Sequence, residues 1–356
     1  MAKIQLLIDG KQVQAEEGTS ILKAALGAGI DIPRLCYMDN LPGEGNCRLC
    51  VVEVEGSPNL MASCTTPVLA NMVVNTSTER VIHARRSVIE LILSDHPLDC
   101  MTCEKSGDCA LEKYAYELGV TSSRFDGEKH EYAQDTTNPF FIRDHNKCIL
   151  CGRCVTACKE IQFNEAISFA NRGFSYKIAT AYDRPLQESS CVFCGRCVAA
   201  CPTGALIEKS RIGAGRTWEI ESVSTICSYC GTGCGIQFNT KGGRIISATA
   251  TPNKSVNNGS LCVKGRFGWS YIHSPNRLDS PLIRTGKKGE GKFRQASWEE
   301  ALDMVAERLA DIKADSGPDS LTFLSSAKCT NEENYLLQKF ARAVIGTNNI
   351  DHCARL

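Results

Sequence analysis

Neither sign of charge is in excess in this sequence, since Lys plus Arg and Asp plus Glu both total 40 over 356 residues. Nothing therefore points to an electrostatic grip on nucleic acid or an anionic membrane, and neither partner is expected. No run of about 18 apolar residues occurs, so no membrane span is expected. The opening Met1-Ala2-Lys3-Ile4-Gln5 lacks the succession of a signal peptide, and Arg85-Arg86 lies too deep for a twin-arginine export signal. A cytoplasmic location is the expectation. No Gly-rich dinucleotide fingerprint follows a strand, so no NAD site is expected within the chain.

What the sequence has in abundance is cysteine, 21 residues of it. With 43% hydrophobic and 22% charged residues the chain can bury real cores and is not disordered. In a reducing cytoplasm disulfides explain so many thiols poorly, and bound metal explains them better.

The first ligand set is Cys36, Cys47, Cys50 and Cys64, spaced C-x10-C-x2-C-x13-C. Ile4, Leu6 and Ile8 alternate before an Asp9-Gly10 hairpin signal, a second strand near Val13 and a helix from Ser20 to Ala28. That is a β-grasp pattern. Residues 42–46, Pro-Gly-Glu-Gly-Asn, supply a flexible loop whose amides can wrap an inorganic sulfide. Four thiolates on such a loop suit a [2Fe-2S] cluster. Zinc is the alternative, although it usually takes two closely spaced pairs.

The second set is His96, Cys100, Cys103 and Cys109. A lone histidine is most often an ordinary hydrogen-bonded residue. Here, however, three cysteines leave one iron of a cubane without a thiolate, and an imidazole four residues ahead of the first can fill the place. The third set, Cys148, Cys151, Cys154 and Cys158, and the fourth, Cys191, Cys194, Cys197 and Cys201, share the spacing C-x2-C-x2-C-x3-C. Ile149-Leu150-Cys151-Gly152-Arg153-Cys154-Val155 is echoed by Val192-Phe193-Cys194-Gly195-Arg196-Cys197-Val198, the mark of a duplicated unit. In this arrangement the fourth cysteine of each run ligates the other cluster, so Cys158 should join the second cubane and Cys201 the first. A double zinc site is the bland reading.

The fifth set is Cys227, Cys230, Cys234 and Cys262, spaced C-x2-C-x3-C-x27-C in a glycine-rich, strand-like segment with a Gly242-Gly243 turn. Four thiolates again suit a cubane, with Lys264 close by, although a lysine taken alone is more often a solvated surface residue. From Ser297 the texture changes. Leu302, Val305, Ala306, Leu309 and Ile312 recur at helical spacing behind a Ser297/Glu300 capping box, and Gly317-Pro318 ends the helix. Leu321-Thr322-Phe323-Leu324 reads as a strand and residues 332–345 as a second amphipathic helix closed by Gly346, the opening of an α/β domain. Cys329 and Cys353 belong to no set. Cys329 is expected to be a small buried core residue, and Cys353 to have a packing role.

The order and spacing of the first two sets resemble the amino-terminal part of the large iron-sulfur subunit of respiratory NADH dehydrogenase. Iron-only hydrogenases and cytoplasmic formate dehydrogenases carry the same arm. The fifth set with Lys264 looks like the first domain of the bis-pterin oxidoreductases, in which the lysine lies between cubane and pterin. The stretches Thr330-Asn331-Glu332-Glu333-Asn334-Tyr335 and Gly346 to Leu356 are similar to formate dehydrogenase catalytic subunits. The resemblance implies an α+β multidomain chain. Its parts are a β-grasp [2Fe-2S] ferredoxin domain (1–80), a [4Fe-4S] domain with one histidine and three cysteine ligands (81–140) and a two-cluster ferredoxin domain (141–213). A bis-pterin oxidoreductase [4Fe-4S] domain (214–280) and the start of an α/β pterin-binding domain (281–356) follow.

The same resemblance implies one [2Fe-2S] and four [4Fe-4S] clusters, with molybdenum or tungsten bis-pterin guanine dinucleotide only in a complete enzyme. Formate would be oxidised to carbon dioxide, or the reverse. Electrons would pass from the Cys227 cubane through the repeated pair, the His96 cubane and the Cys36 centre to an iron-sulfur or flavin subunit that is NAD-, ferredoxin- or hydrogenase-linked. The alternatives are the large subunit of NADH:quinone oxidoreductase and a stand-alone electron-transfer protein. In the resembled family the residue after Cys-Ala-Arg-Leu is the metal-binding cysteine or selenocysteine. The sequence reaches Leu356 one residue short of it, so no catalytic residue is expected here, and the reading frame is expected to continue with UGA.

Overall fold

The computed structural model describes residues 3–39, 41–251 and 256–353. The closing residues Ala354, Arg355 and Leu356, part of the resemblance above, lie outside them. The chain divides into two units, Met1–Glu221 and Ser222–Leu356.

In the first unit, strands β1 (Lys3–Ile8) and β2 (Lys11–Glu16) pair antiparallel across a two-residue turn, where Asp9 and Gly10 both have positive φ, +48° and +76°. That is the twist-matched turn an Asp-Gly pair favours. Ser20 caps helix α1 (Ile21–Gly27), accepting the Lys23 amide at 3.3 Å. Strands β3 (Val51–Val54), β4 (Met61–Ala62) and β5 (Val73–Asn75) complete a sheet of order β2-β1-β5-β3-β4, in which β1 and β5 run parallel. Ile8, Ile21, Leu22, Val52 and Val74 are fully buried between sheet and helix, the arrangement expected of a β-grasp.

Helix α2 (Glu79–Asp95) begins at the Thr78 cap and stops at His96, whose φ/ψ of −83°/135° is extended, before Pro97. Its buried face is Val81, Arg85, Ile89 and Leu93, a stripe of period four that packs beside helix α3 (Ala110–Glu117).

The repeat follows. Strand β6 (Phe141–Arg143) pairs with β9 (Leu206–Glu208), and between them lie helix α4 (Arg153–Thr156), the hairpin of β7 (Ser168–Ala170) and β8 (Lys177–Ala179), and helix α5 (Arg196–Ala200). The sequence echo is also an echo of backbone shape. Leu150 and Phe193 both adopt positive φ (51° and 52°), and Gly152 and Gly195, at 80° and 68°, start the two helices.

In the second unit, strands β10 (Glu221–Ile226), β11 (Gly235–Lys241) and β12 (Arg244–Ala250) form an antiparallel sheet leading to helix α6 (Val263–Phe267). Strands β13 (Leu282–Arg284) and β14 (Phe293–Gln295) form a hairpin, and helix α7 (Trp298–Ser316) follows. Strand β15 (Phe323–Ser326), helix α8 (Asn331–Lys339) and strand β16 (Ile350–Cys353) close the described chain, with β15 and β16 parallel.

Four expectations need correction here. Ser297 Oγ does accept the Glu300 amide at 3.1 Å, but the Glu300 carboxylate is taken by Arg294, so the capping box is only half made. The complete box is at Thr330 and Glu333. The strand expected over 321–324 starts two residues later because Gly317 to Ser320 form a turn that runs into Leu321. Cys329 is only partly buried, in the turn between β15 and α8, and Cys353 is exposed, with Sγ 3.1 Å from Ser326 Oγ on the neighbouring strand. Neither is a core residue, since helices α7 and α8 bury none of their residues among those described.

Candidate metal centres

The first set gathers around the turn between α1 and β3. Cys36, Cys50 and Cys64 are 5%, 1% and 3% exposed. Their sulfurs are in mutual contact: hydrogen bonds from Cys47 and Cys64 hold the Cys36 thiol far below its ordinary value, and one from Cys64 draws Cys50 down to about 6. Amides of Asn46 and Cys47 face Cys36, and that of Leu49 faces Cys47. The glycine in this loop is a steric requirement, since a Cβ on Gly43 would stand 2.2 Å from the Cys64 carbonyl oxygen. Ser63 Oγ donates to the Cys50 carbonyl at 2.7 Å. Arg85, 5% exposed, donates from Nε to Leu49 O at 3.2 Å and from its guanidinium to Val51 O at 2.8 Å, fixing the segment that carries Cys50. Sequence reasoning weighed Arg85 only as an export signal. The signal it missed is a charge on the apolar stripe of α2.

In the second set, His96 closes α2, Cys100 and Cys103 lie in the following turn, and Cys109 sits at the start of α3. Burial pushes the His96 imidazole below its ordinary pKa, and its Nδ1 is buried with no hydrogen-bond partner. A neutral ring with an unengaged buried nitrogen has the chemistry of a metal ligand. Burial also raises Cys100, and Cys109 to about 11.

The repeat brings the third and fourth sets together across each other. Cys201 is an electrostatic neighbour of Cys148, Cys151 and Cys154, and Cys158 is one of Cys191, Cys194 and Cys197. Burial raises Cys148 to about 11, and Cys151 and Cys197 to about 12. Thiolates here are costly unless a cation neutralises them. A cavity of about 70 Å³ lies among Cys158, Cys191, Cys194, Cys197 and the apolar side chains of Ile167 and Leu186.

These sets are joined by specific contacts. Asn46 Nδ2 donates to Cys151 O at 3.3 Å, and Thr156 Oγ1 to Glu44 Oε1 at 3.2 Å, tying the first loop to the repeat. The Ala110 amide donates to Pro202 O at 2.9 Å, and Lys147 Nζ lies 2.8 Å from Asp99, tying the second set to it.

In the second unit Cys227 is 8% exposed, and its amide donates to Cys234 O at 2.9 Å. Burial raises Cys227 and Cys234, and Cys230 and Cys262 are electrostatic neighbours of both. Cys262 is exposed at the start of α6. Lys264 is exposed too, its ammonium 6.0 Å from the centre of the Tyr229 ring. Asn331 Nδ2 donates to Gly231 O at 2.8 Å, so α8 holds the turn between Cys230 and Cys234.

Among the described residues no three Cys, His, Asp or Glu side chains converge on a point that one metal ion could occupy. The donor chemistry, soft thiols with one neutral imidazole, fits iron-sulfur clusters.

Family models match in the same order. Residues 1–79 match a 2Fe-2S iron-sulfur cluster binding domain, 85–124 the NADH-ubiquinone oxidoreductase-G iron-sulfur binding region, and 147–205 a 4Fe-4S dicluster domain. Residues 220–274 match the molybdopterin oxidoreductase Fe4S4 domain and 277–356 molybdopterin oxidoreductase. The chain is 40% identical, over 99% of its length, to the NADPH-Fe(3+) oxidoreductase subunit alpha of Geobacter sulfurreducens. It is 36% identical, again over 99% of its length, to a Bacillus subtilis protein named "Putative formate dehydrogenase YrhE". It spans 40% of the length of each of these relatives. A crystal structure of an NAD+-reducing [NiFe]-hydrogenase overlays on 58% of the chain and 88% of its own, with a TM-score of 0.55 and 35% identity. No helix among the described residues is long and apolar enough to cross a membrane. In order along the chain stand a 2Fe-2S domain, an NADH-ubiquinone oxidoreductase-G iron-sulfur region, a 4Fe-4S dicluster domain and the Fe4S4 and following domains of molybdopterin oxidoreductase.

Proposed function

We propose that the chain is the electron-transfer arm and the opening of the catalytic body of a cytoplasmic formate dehydrogenase, working in either direction. The observation that carries the reading is the sequence of five thiol-rich sets in an order that ends in a molybdopterin oxidoreductase domain. Cys36, Cys47, Cys50 and Cys64 would hold a [2Fe-2S] cluster. His96 with Cys100, Cys103 and Cys109 would hold one cubane, and the fifth set another. The repeat would hold two, on Cys148, Cys151, Cys154 and Cys201, and on Cys191, Cys194, Cys197 and Cys158. When bound, these groups supply one-electron storage, and the protein's part is to hold, space and bury them. Lys264 would stand at the face turned to a pterin.

The contacts within the first unit favour a fork over a single file. The Cys151 segment meets the Asn46 loop, and Lys147, next to Cys148, meets Asp99 beside Cys100, so electrons could leave the repeat toward either outer set. Their acceptor would be an iron-sulfur or flavin subunit of an NAD-, ferredoxin- or hydrogenase-linked partner. The relative from Geobacter favours a second reading, in which NADPH and ferric iron are the redox partners of the complete complex.

Anaerobic reconstitution followed by iron and sulfide analysis is expected to give about 18 irons per chain. Reproducible zinc with fewer than about eight irons would end the cluster assignment. For the reaction, the complete complex is to be given formate or NADPH while cluster absorption is followed. Bleaching by formate supports the first reading, and bleaching by NADPH alone the second.

A further inference from the structure

Lys147 directly precedes Cys148, the first thiol of the third set, yet its side chain serves the second. Its ammonium lies 2.8 Å from Asp99 Oδ2 and acts electrostatically with Cys103 and His96. The side chain is 14% exposed and that of Asp99 42%, so the cation is the more sheltered of the two. The backbone holds the stem in place, because Thr203 Oγ1 donates to Lys147 O at 2.8 Å. Gly204 closes the site. A Cβ there would lie 2.8 Å from Cys103 Sγ and 3.3 Å from Lys147 Cδ, so only a glycine lets stem, thiol and backbone meet at one point.

Adding an electron to a cluster adds negative charge. A sheltered cation beside a ligand sulfur therefore favours the reduced form, and local charge is one of the levers that set such potentials. A nearby carboxylate acts in the opposite sense. We propose that Lys147 is a positioning residue for the His96, Cys100, Cys103 and Cys109 centre, placing its cation beside Cys103 and raising the reduction potential, with Asp99 moderating it. The proposal rests on the reading of this set as the holder of a cluster. Because the same residue is peptide-bonded to Cys148, a change at Lys147 is felt at a contact that joins the second set to the third.

The test is a redox titration, monitored by electron paramagnetic resonance, of the anaerobically reconstituted full chain. Wild type is compared with Lys147→Met, Lys147→Arg, Asp99→Asn and His96→Cys, the last marking which signal belongs to the second set. Lys147→Met is expected to raise that signal's oxidised-to-reduced ratio about tenfold at fixed ambient potential, a fall of about 59 mV for a one-electron couple. Lys147→Arg should restore most of it, Asp99→Asn should move it the other way, and the remaining signals should stay put. An unmoved midpoint with iron retained, or equal shifts in Lys147→Met and Asp99→Asn, overturns the role. If Lys147→Met loses the cluster, Asp99→Asn decides: an upward shift supports the proposal, while none or a downward one overturns it. A wild type with no His96-sensitive signal overturns the reading of the second set and the proposal with it, whereas a present but unmoved signal overturns the Lys147 role alone.

Discussion

The Cys36 site and the Cys227 site are both four-thiol sites on small β-sheet domains, yet they are built on opposite plans. The first is sunk into a core, with three of its thiols at most 5% exposed and their sulfurs in hydrogen-bonding reach of one another and of loop amides. The last rests on a small cluster of Cys227, Ile236, Ala248 and Leu261, and its returning cysteine, Cys262, is exposed at the start of a five-residue helix. Spacing explains part of the difference. Residues 36–64 must fold back tightly to bring four thiols together, whereas x27 between Cys234 and Cys262 lets a hairpin intervene. Ligand identity fixes what can bind, and the burial around it fixes how well water and other ligands are kept out.

The contrast can be broken most severely at Gly43. Gly43→Ala should cost the first site its iron altogether, because the added Cβ would overlap the Cys64 carbonyl, while the other four centres stay filled. Iron content and the [2Fe-2S] spectrum measure this, and a normally filled site would show that the loop is looser than its contacts suggest. Next in size is Arg85→Ala, which strips two sheltered carbonyls of their donor and should lower the stability of the first domain by about 3 kcal/mol. Chemical denaturation of the reconstituted chain reads it, and a change within about 0.5 kcal/mol would mean that water replaces the guanidinium. A chelator under anaerobic conditions should strip the Cys227 centre about tenfold faster than the Cys36 centre, equivalent to about 1.4 kcal/mol of barrier. Equal release rates, followed by their separate spectra, would remove burial as the distinction. The smallest effect is expected for Gly242→Ala. This residue has φ +56° in the β11–β12 turn and nothing within 4 Å of a Cβ, so only backbone strain of about 1 kcal/mol applies, with iron content unchanged.

Much of this plan was legible along the chain. The Asp9-Gly10 and Gly242-Gly243 turns form hairpins because few other residues accept positive φ there, and Ser20 caps its helix through its own side chain. The repeat was legible in its residues, and the structure matches it with left-handed Leu150 and Phe193. Glu300 was misjudged because a capping box is a contest among partners, and Arg294, six residues back on the adjacent strand, won. Cys329 and Cys353 were misjudged because a small apolar residue in an α/β pattern is core only where another layer covers it.

What the sequence determined by itself is local and countable: which thiols travel together, where the chain turns, where helices start, and that one unit is doubled. Those features depend on neighbours a few residues away, and φ/ψ preferences and ligand spacing act at that range. What only the tertiary structure decided is which distant groups share a space. Arg85 reaches back more than 30 residues to the Cys50 segment, and Lys147 meets Asp99 beside Cys103. Such pairings are set by how buried surfaces pack and by the need to satisfy every sheltered polar group, and neither is written in the spacing of residues along one strand or turn.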